Sequence, residues 1–326
     1  MKTRHVVLGF FCLMATVIQA ADGQPIDSIR VARYHSDKTC AISYTFDDGL
    51  KEHYTLVFPK FKQLGFNGTF WINGNTINQG EQGLQADKPR TTWVELQEMA
   101  AQGQEISNHG WSHRSLPRIS TEEVRVEIDR NDSIIEAKIG SRPVTYCYAG
   151  NAKNAEVVRM ATEHRVGTRT EQFSVGGKST SENLERRIDT LLANRGWGVT
   201  MTHGITYGYD AFKSDSIFWD HLEKVKKLED KIWIGTFREV AAYIAEQKNI
   251  VLKTTIKKNQ TIVVPQLTLD KSLFNQPLTL VAYVSEPSRI KAVQRGKILN
   301  VAYSGGMALI EFDPNGGKIT LSTKRY

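Results

Sequence analysis

Four short stretches carry side chains able to do chemistry. Residues 44–49 read YTFDDG, so Asp47 and Asp48 follow an apolar run and precede Gly49. Adjacent carboxylates repel, and the glycine permits a sharp turn beneath them. Successive residues leave a strand end in different directions, so one aspartate can bind a cation while its neighbour faces a water. A bound dication would favour the ionised form of both. Residues 109–113 read HGWSH, with His109 and His113 four apart. Imidazoles at that spacing converge on one ion when the segment is helical or tightly turned, and imidazole suits zinc and its neighbours. One aspartate added to them makes a two-histidine, one-carboxylate site with positions open for water. Such a site activates water and polarises a carbonyl. In Met201-Thr202-His203-Gly204 an imidazole follows an apolar run, a place suited to a general acid. Residues 146–151, YCYAGN, offer an aromatic strand end and a backbone N–H before a glycine. Each stretch also has a structural reading: a polar turn or helix cap for the aspartates, surface or hydrogen-bonded core positions for the histidines.

Such groups need a scaffold, and the hydrophobic pattern supplies one. Residues 40–46 read as a buried strand. Residues 52–64 have helical spacing in Tyr54, Val57, Phe58, Phe61 and Leu64, stopped by Gly65. Strands are expected over 67–72, 105–107, 145–149, 198–202 and 231–235. Helices are expected over 92–102, 120–139, 154–163, 214–228 and 236–247, the first capped by Thr92 with Glu95 three residues on. Strands alternating with helices argue for an α/β fold with a largely parallel sheet or barrel. In such folds functional groups collect at the carboxyl ends of strands. Residues 22–40 read as a polar, irregular lead-in. After Asn249 the pattern changes to short alternating segments such as IVLKTTI, LTLVAYV and ALIEF, which argue for a small β-sandwich. Pro314-Asn315-Gly316-Gly317 reads as a hairpin turn.

The chain has 326 residues, with 42 Lys and Arg against 35 Asp and Glu and a formal net charge of +7. The cations are scattered rather than run together, which fits a solvated surface and not a nucleic-acid partner. The first twenty residues, MKTRHVVLGFFCLMATVIQA, begin with Lys2 and Arg4, continue apolar and end in small residues. This is the pattern of a signal peptide over residues 1–20, too short to span a membrane comfortably. The expectation is a secreted or periplasmic protein with no stable membrane insertion. Beyond that stretch stand two cysteines, Cys40 and Cys147. They could form one disulfide outside the cytoplasm or remain buried thiols.

Taken together, the stretches resemble the motifs of polysaccharide deacetylases of the NodB-homology family, carbohydrate esterase family four. TFDDG at 45–49 is identical to the first motif. HGWSH fits the second, His-[Ser/Thr]-x-x-His, with Gly110 where Ser or Thr is usual. Residues 198–203 fit the last, a Leu-x-Leu-x-His strand, with Trp197 just upstream as in the Trp-bearing fourth motif. The resemblance covers about residues 38–248. It implies a distorted (β/α) barrel over residues 21–248, to which the β-rich residues 249–326 are appended as a small all-β domain. It implies that Asp47 is the general base, that Asp48, His109 and His113 hold a divalent metal, usually zinc, and that His203 is the general acid. A backbone N–H of the third motif, here that of Ala149, is implied as an oxyanion donor. The implied reaction removes acetyl groups, N- or O-linked, from a carbohydrate or polysaccharide.

The third motif departs from the usual Arg-x-Pro-[Phe/Tyr]-Gly. Counting back from Gly150 places Ala149 at the aromatic position, Tyr148 at the proline and Tyr146 at the arginine. In the family that arginine orients and charge-pairs the catalytic aspartate, so its loss predicts a less depressed Asp47 pKa. Arg169, in Thr168-Arg169-Thr170, is the candidate to stand in. Trp71, Trp111 and Tyr207 are candidates to line a sugar groove, and Tyr148 is a further substrate-contact candidate. Two rival readings are an amidase acting on another C–N bond and a non-catalytic carbohydrate-binding relative.

Overall fold

A computed structural model describes residues 26–78, 89–257, 260–284 and 289–324. The leader expected over residues 1–20 lies outside the described residues.

The expected strand over 40–46 forms as two, β2 (Cys40–Ser43) and β3 (Thr45–Asp47), separated at Tyr44. β3 is followed by a π-helical turn, His53–Val57, and then by α1 (Phe58–Leu64), which ends on Gly65 at φ 70°. That left-handed cap is open to glycine at little cost. Next come β4 (Thr69–Ile72), α2 (Trp93–Ala101), β5 (Glu105–Asn108), α3 (Thr121–Ile139) and β6 (Thr145–Cys147). α2 starts with the expected Thr92–Glu95 capping box, and α3 with an equivalent one from Ser120 and Glu123. The chain continues through α4 (Ala155–Thr162), β7 (Gly167–Arg169), β8 (Phe173–Ser174), α5 (Ser181–Asn194) and β9 (Trp197–Met201). α6 (Ser216–Lys226), β10 (Ile232–Ile234) and α7 (Phe237–Asn249) complete the alternation. α5 escaped the sequence reading, although Leu184, Ile188 and Leu191 keep helical spacing behind a Thr180–Asn183 capping box.

β3 to β7 form one sheet in sequence order, and a second has the order β10-β2-β9-β8. Every pairing within the two is parallel. β9 runs beside β2, and its continuation at Thr202 bridges Phe46 of β3. The break at Tyr44 therefore lets one strand serve both sheets, and the two curl into a distorted barrel. All the chemistry-bearing strand ends open at the same rim. The main core lies between the sheets and their helices, with Tyr44, Phe46, Phe61, Phe70 and Phe218 at its centre.

The C-terminal region is antiparallel: β11 (Val251–Lys257), β12 (Gln260–Gln266), β13 (Leu278–Val284), β14 (Arg289–Gln294), β15 (Lys297–Ile298), β16 (Val301–Ser304), β17 (Met307–Phe312) and β18 (Ile319–Lys324). Two sheets result, one of order β11-β12-β18-β14-β15 and one containing β13, β17 and β16. The edge of the second is completed from the other end of the chain by β1 (Ile26–Val31), which pairs with β13. Part of the stretch read as an irregular lead-in is thus a strand. A register shift between Ile26 and Ser28 breaks its alternation, so its apolar residues fall at 26, 29 and 31. The turn at 314–317 also differs from expectation. It joins β17 to β18, which lie in different sheets, so it is a crossover and not a hairpin. The hairpin between β16 and β17 instead turns at Gly305 and Gly306, both at positive φ.

Trp233, Val240 and Tyr243 share one apolar cluster with Leu278, Leu280, Ile310 and Phe312, which joins α7 to the β sheets. Cys40 and Cys147 are both buried free thiols, so the disulfide does not form. Among the described residues no helix is long and apolar enough to cross a membrane.

Glu246 of α7 is fully buried against the C-terminal region, accepting the Gln276 N–H at 2.9 Å. Its other carboxylate oxygen has no hydrogen-bond partner. Burial, helped by Asp313, pushes its pKa up to about 7. The folded value lies above the unfolded one, so this group costs nothing at low pH and destabilises increasingly as pH rises towards neutrality. E246Q should therefore match the wild type near pH 4 and exceed its stability at pH 8 by about 2–3 kcal/mol in denaturant unfolding.

Candidate metal centre and active site

Two positive-φ residues make the turn after β3: Asp48 at 76° and Gly49 at 63°. An aspartate tolerates this region better than most side chains, but the conformation is uncommon outside glycine. Three bonds hold it: the Asp48 N–H donates to Trp71 O at 3.0 Å, the Asp47 N–H donates to Thr202 O at 2.9 Å, and Arg90 donates to Asp48 O at 2.6 Å. The turn separates the two carboxylates. Asp47 points into the barrel and is buried, while Asp48 faces the rim.

His109 follows β5 and is buried; His113 is half exposed and sits at φ 56°. The segment between them is a turn, not a helix, and α3 shapes it. Asn108 Oδ1 accepts from the Gly110 N–H at 2.7 Å and from Asn131 at 2.9 Å. Glu127 accepts the Ser112 N–H at 2.8 Å and also the Ser112 hydroxyl, and its carbonyl takes the Trp111 N–H at 2.9 Å. Asp132 receives Asn108 Nδ2 at 2.6 Å and is itself paired with buried Arg165 at 2.5 Å. His109 Nδ1 donates to Cys147 O at 2.9 Å, which leaves Nε2 as the free lone pair.

That Nε2 lies 3.5 Å from Asp48 Oδ1, and His113 Nε2 lies 3.4 Å from the same oxygen. Ligands about 2 Å from one zinc-like ion stand about 3.3 Å apart at tetrahedral angles. His109 Nε2 and Asp48 Oδ1 are both buried without a hydrogen-bond partner. Buried polar atoms seldom stay unpaired, so these donors fit a cation. A second candidate group, Asp47, His109 and Cys147, shares His109. It fits less well, because both Asp47 oxygens already accept from a guanidinium and a cation there would face a fixed positive charge. Burial works against ionisation of Asp48, but His109 and His113 outweigh it and hold the carboxyl below its ordinary range.

The guanidinium belongs to Arg169 at the end of β7. Its two terminal nitrogens donate to Asp47 Oδ1 at 2.7 Å and Oδ2 at 2.5 Å, and one also reaches Thr45 Oγ1 at 2.7 Å. Burial pushes the Asp47 carboxyl up, but Arg169 and then His109 prevail and leave it lowered. The expected loss of this depression therefore does not occur. Tyr146 does not face the site at all. It packs outward with Leu116, Val124 and Ile128 beneath α3 and α4. The inward residue of β6 is Cys147, whose strand neighbour is Arg169 and whose Sγ lies 4.0 Å from Asp47 Oδ2. His203 completes the cluster, with Nε2 3.8 Å from Asp47 Oδ2.

The aromatic candidates divide differently from expectation. Trp71 is fully buried under the Arg169 guanidinium and lines no groove. Trp111 has Arg130 over its ring at 4.0 Å. Tyr148 is buried, its hydroxyl on Thr168, and Ala149 is buried beside it at the rim. Tyr207 is half buried with its hydroxyl on Pro89 O at 3.2 Å. The sequence reading missed Tyr209, exposed beside His203, and the dipeptide Glu52-His53. His53 donates to His203 O at 2.8 Å, and Glu52 accepts the Thr206 N–H at 3.0 Å. No local pattern singled them out, because Lys51, Thr55, Lys60, Lys62 and Gln63 stand in the same stretch. A cavity of 740 Å³ between β7, β9 and α5 is lined by Thr168, Phe173, Arg186 and Trp197 and lies apart from this cluster.

The family model of polysaccharide deacetylase matches residues 35–168. Peptidoglycan-N-acetylmuramic acid deacetylase PdaC of Bacillus subtilis strain 168 is 32% identical over 103 residues, 31% of this chain and 20% of that protein. Gellan lyase of a Bacillus species is 22% identical over 309 residues, 82% of this chain and 12% of the lyase. The chain therefore spans a fifth or less of the length of these two curated relatives. The crystal structure of a Mycobacterium smegmatis protein assigned as a polysaccharide deacetylase is 15% identical, with a TM-score of 0.53 over 67% of this chain and 94% of that one. It shares the fold. From β2 to β7 the α/β part of this chain is thus similar to the polysaccharide deacetylase family, with the motif order carried on the strand ends and the barrel fold shared.

Proposed function

We propose that this chain is a secreted, metal-dependent hydrolase that removes acetyl groups from a carbohydrate. The observation that carries the reading is the position of Asp47. Its Oδ2 lies 4.0 Å from His109 Nε2 on one side and 3.8 Å from His203 Nε2 on the other, with Arg169 behind it. A carboxylate so placed stands between a cation site and an imidazole. Secretion rests on the pattern of residues 1–20 alone.

Asp48, His109 and His113 would hold a divalent metal, zinc first by donor type. When bound, it would supply Lewis acidity towards the acetyl carbonyl and water. Asp47 takes the proton of the attacking water. Arg169 keeps that carboxylate ionised and fixes its plane by two parallel bonds, which holds Oδ2 between the two imidazoles. His203 delivers a proton to the departing amine or hydroxyl. The buried Ala149 N–H is the candidate backbone donor for charge developing on the acetyl oxygen. The acetyl linkage, N or O, is left to the substrate that fits above the rim.

D47N should lower acetate release from N-acetylglucosamine oligomers, peptidoglycan or acetylated xylan by about 10²–10⁴-fold, with metal content by mass spectrometry unchanged. Undiminished release would remove Asp47 from the general-base role. Dialysis against a chelator should abolish release and zinc or cobalt should restore it; persistence of activity in metal-free protein would end the metal-dependent reading. R169L leaves a buried carboxylate without its partner and should cost about 3–5 kcal/mol of stability. R169K keeps charge but loses the two-point contact, and release should fall on the order of 10–100-fold.

A further inference from the structure

The segment after His203 is tied down at both ends, yet it holds an aromatic ring in water. On one side, the buried Glu52 carboxylate accepts from the Ile205 N–H, from the Thr206 N–H at 3.0 Å and from the Thr206 hydroxyl at 2.8 Å. His53, whose pKa burial lowers to about 4, is neutral and donates to His203 O at 2.8 Å. On the other side, Asp210 accepts the Ser174 hydroxyl at 2.7 Å and the Gly177 N–H at 3.1 Å. The Gly204 N–H closes the loop onto Tyr209 O at 3.1 Å. Gly208 at φ 90° and Asp210 at φ 54° flank the tyrosine, and the second is a conformation that side-chain-bearing residues rarely adopt.

Tyr209 itself is 71% exposed, and its ring centroid lies 5.0 Å from that of His203 at an interplanar angle of 82°. Tyr207, two residues earlier, is committed to Pro89 and only half exposed. A backbone held by the buried Glu52 carboxylate and the partly exposed Asp210 carboxylate, with left-handed residues on either side, would be wasted on a ring with nothing to touch. A pyranose presents a face of C–H bonds ringed by hydroxyls, which suits an aromatic face whose surroundings stay wet.

We propose that Tyr209 is a stacking platform for a pyranose unit of the substrate, held against the His203 side of the site by the Glu52-His53 clamp. This rests on the reading of the site as a carbohydrate deacetylase. The platform sets which sugar face approaches His203, so it selects among acetylated sugars by ring orientation.

Calorimetric binding of N-acetylglucosamine tetramer and of acetylated xylotetraose to the D47N protein separates recognition from turnover. Adding Y209A should weaken binding about tenfold, while Y209F and Y209W retain it and Y209L does not. In the otherwise native enzyme, the Y209A loss should fall on KM rather than kcat. Binding of both probes unchanged in Y209A overturns the proposal, as does failure of the parent protein to bind either probe. A fall in kcat with binding intact also overturns it, because the ring would then act only through His203. If the probes bind through Tyr209 but the native enzyme releases no acetate, the platform stands and the deacetylase reading fails.

Discussion

The bond between Arg169 and Asp47 braces the whole barrel. Asp47 ends β3 and Arg169 ends β7, the two edges of the five-stranded sheet. Only a strongly curled sheet brings its edges within reach of one side chain. Both partners are buried, so neither charge can be left alone without a large desolvation cost. The curl, the ionised carboxylate and the open rim are therefore one arrangement. Trp71 beneath the guanidinium and Thr45 beside it complete the seat.

The candidate cation site is held by different means. Few apolar contacts define the turn carrying His109 and His113. Instead, α3 turns Glu127, Asn131 and Asp132 inward, and all three are buried and hydrogen-bonded. A network of this kind fixes direction as well as distance, because each bond specifies an angle. Gly110 sits in its midst, where an added Cβ would lie 3.3 Å from the Tyr146 hydroxyl. Two of the departures from the family motifs, those at 110 and 146, thus meet in space. A tyrosine facing outward fills room that a residue larger than glycine would contest.

Much of this was legible in the chain. The strand ends bearing Asp47, His109 and His203 follow from apolar runs that stop at polar residues; a capping signal located α2, and the residue pattern located α3 and α7, to within a residue or two. The third motif misled because counting from Gly150 says nothing about which way a strand side chain points. Tyr146 and Cys147 differ by one position and so face opposite sides of the sheet. Arg169 was visible as a basic residue in a strand, but its partner lies 122 positions away and no local pattern encodes that distance. β1 was hidden for the same reason: its apolar residues make sense only against β13. Glu52 and His53 likewise look like surface residues until the loop after β9 is placed over them.

β1 and β13 meet across almost the entire length of the described chain, with Arg30 and Tyr283 hydrogen-bonded 253 residues apart. Contacts of such sequence separation are the slowest to close, since the intervening loop entropy must be overcome first. On a ribosome, β1 emerges early and waits while the whole barrel is made. The sheet that captures it can form only once β13 and β17 have followed. The barrel between them can fold on local and medium-range pairings in the meantime, which shortens the effective loop. Assembly of this molecule thus has an imposed order, with the first described strand among the last to be secured and, until then, available to chaperones or to the wrong edge.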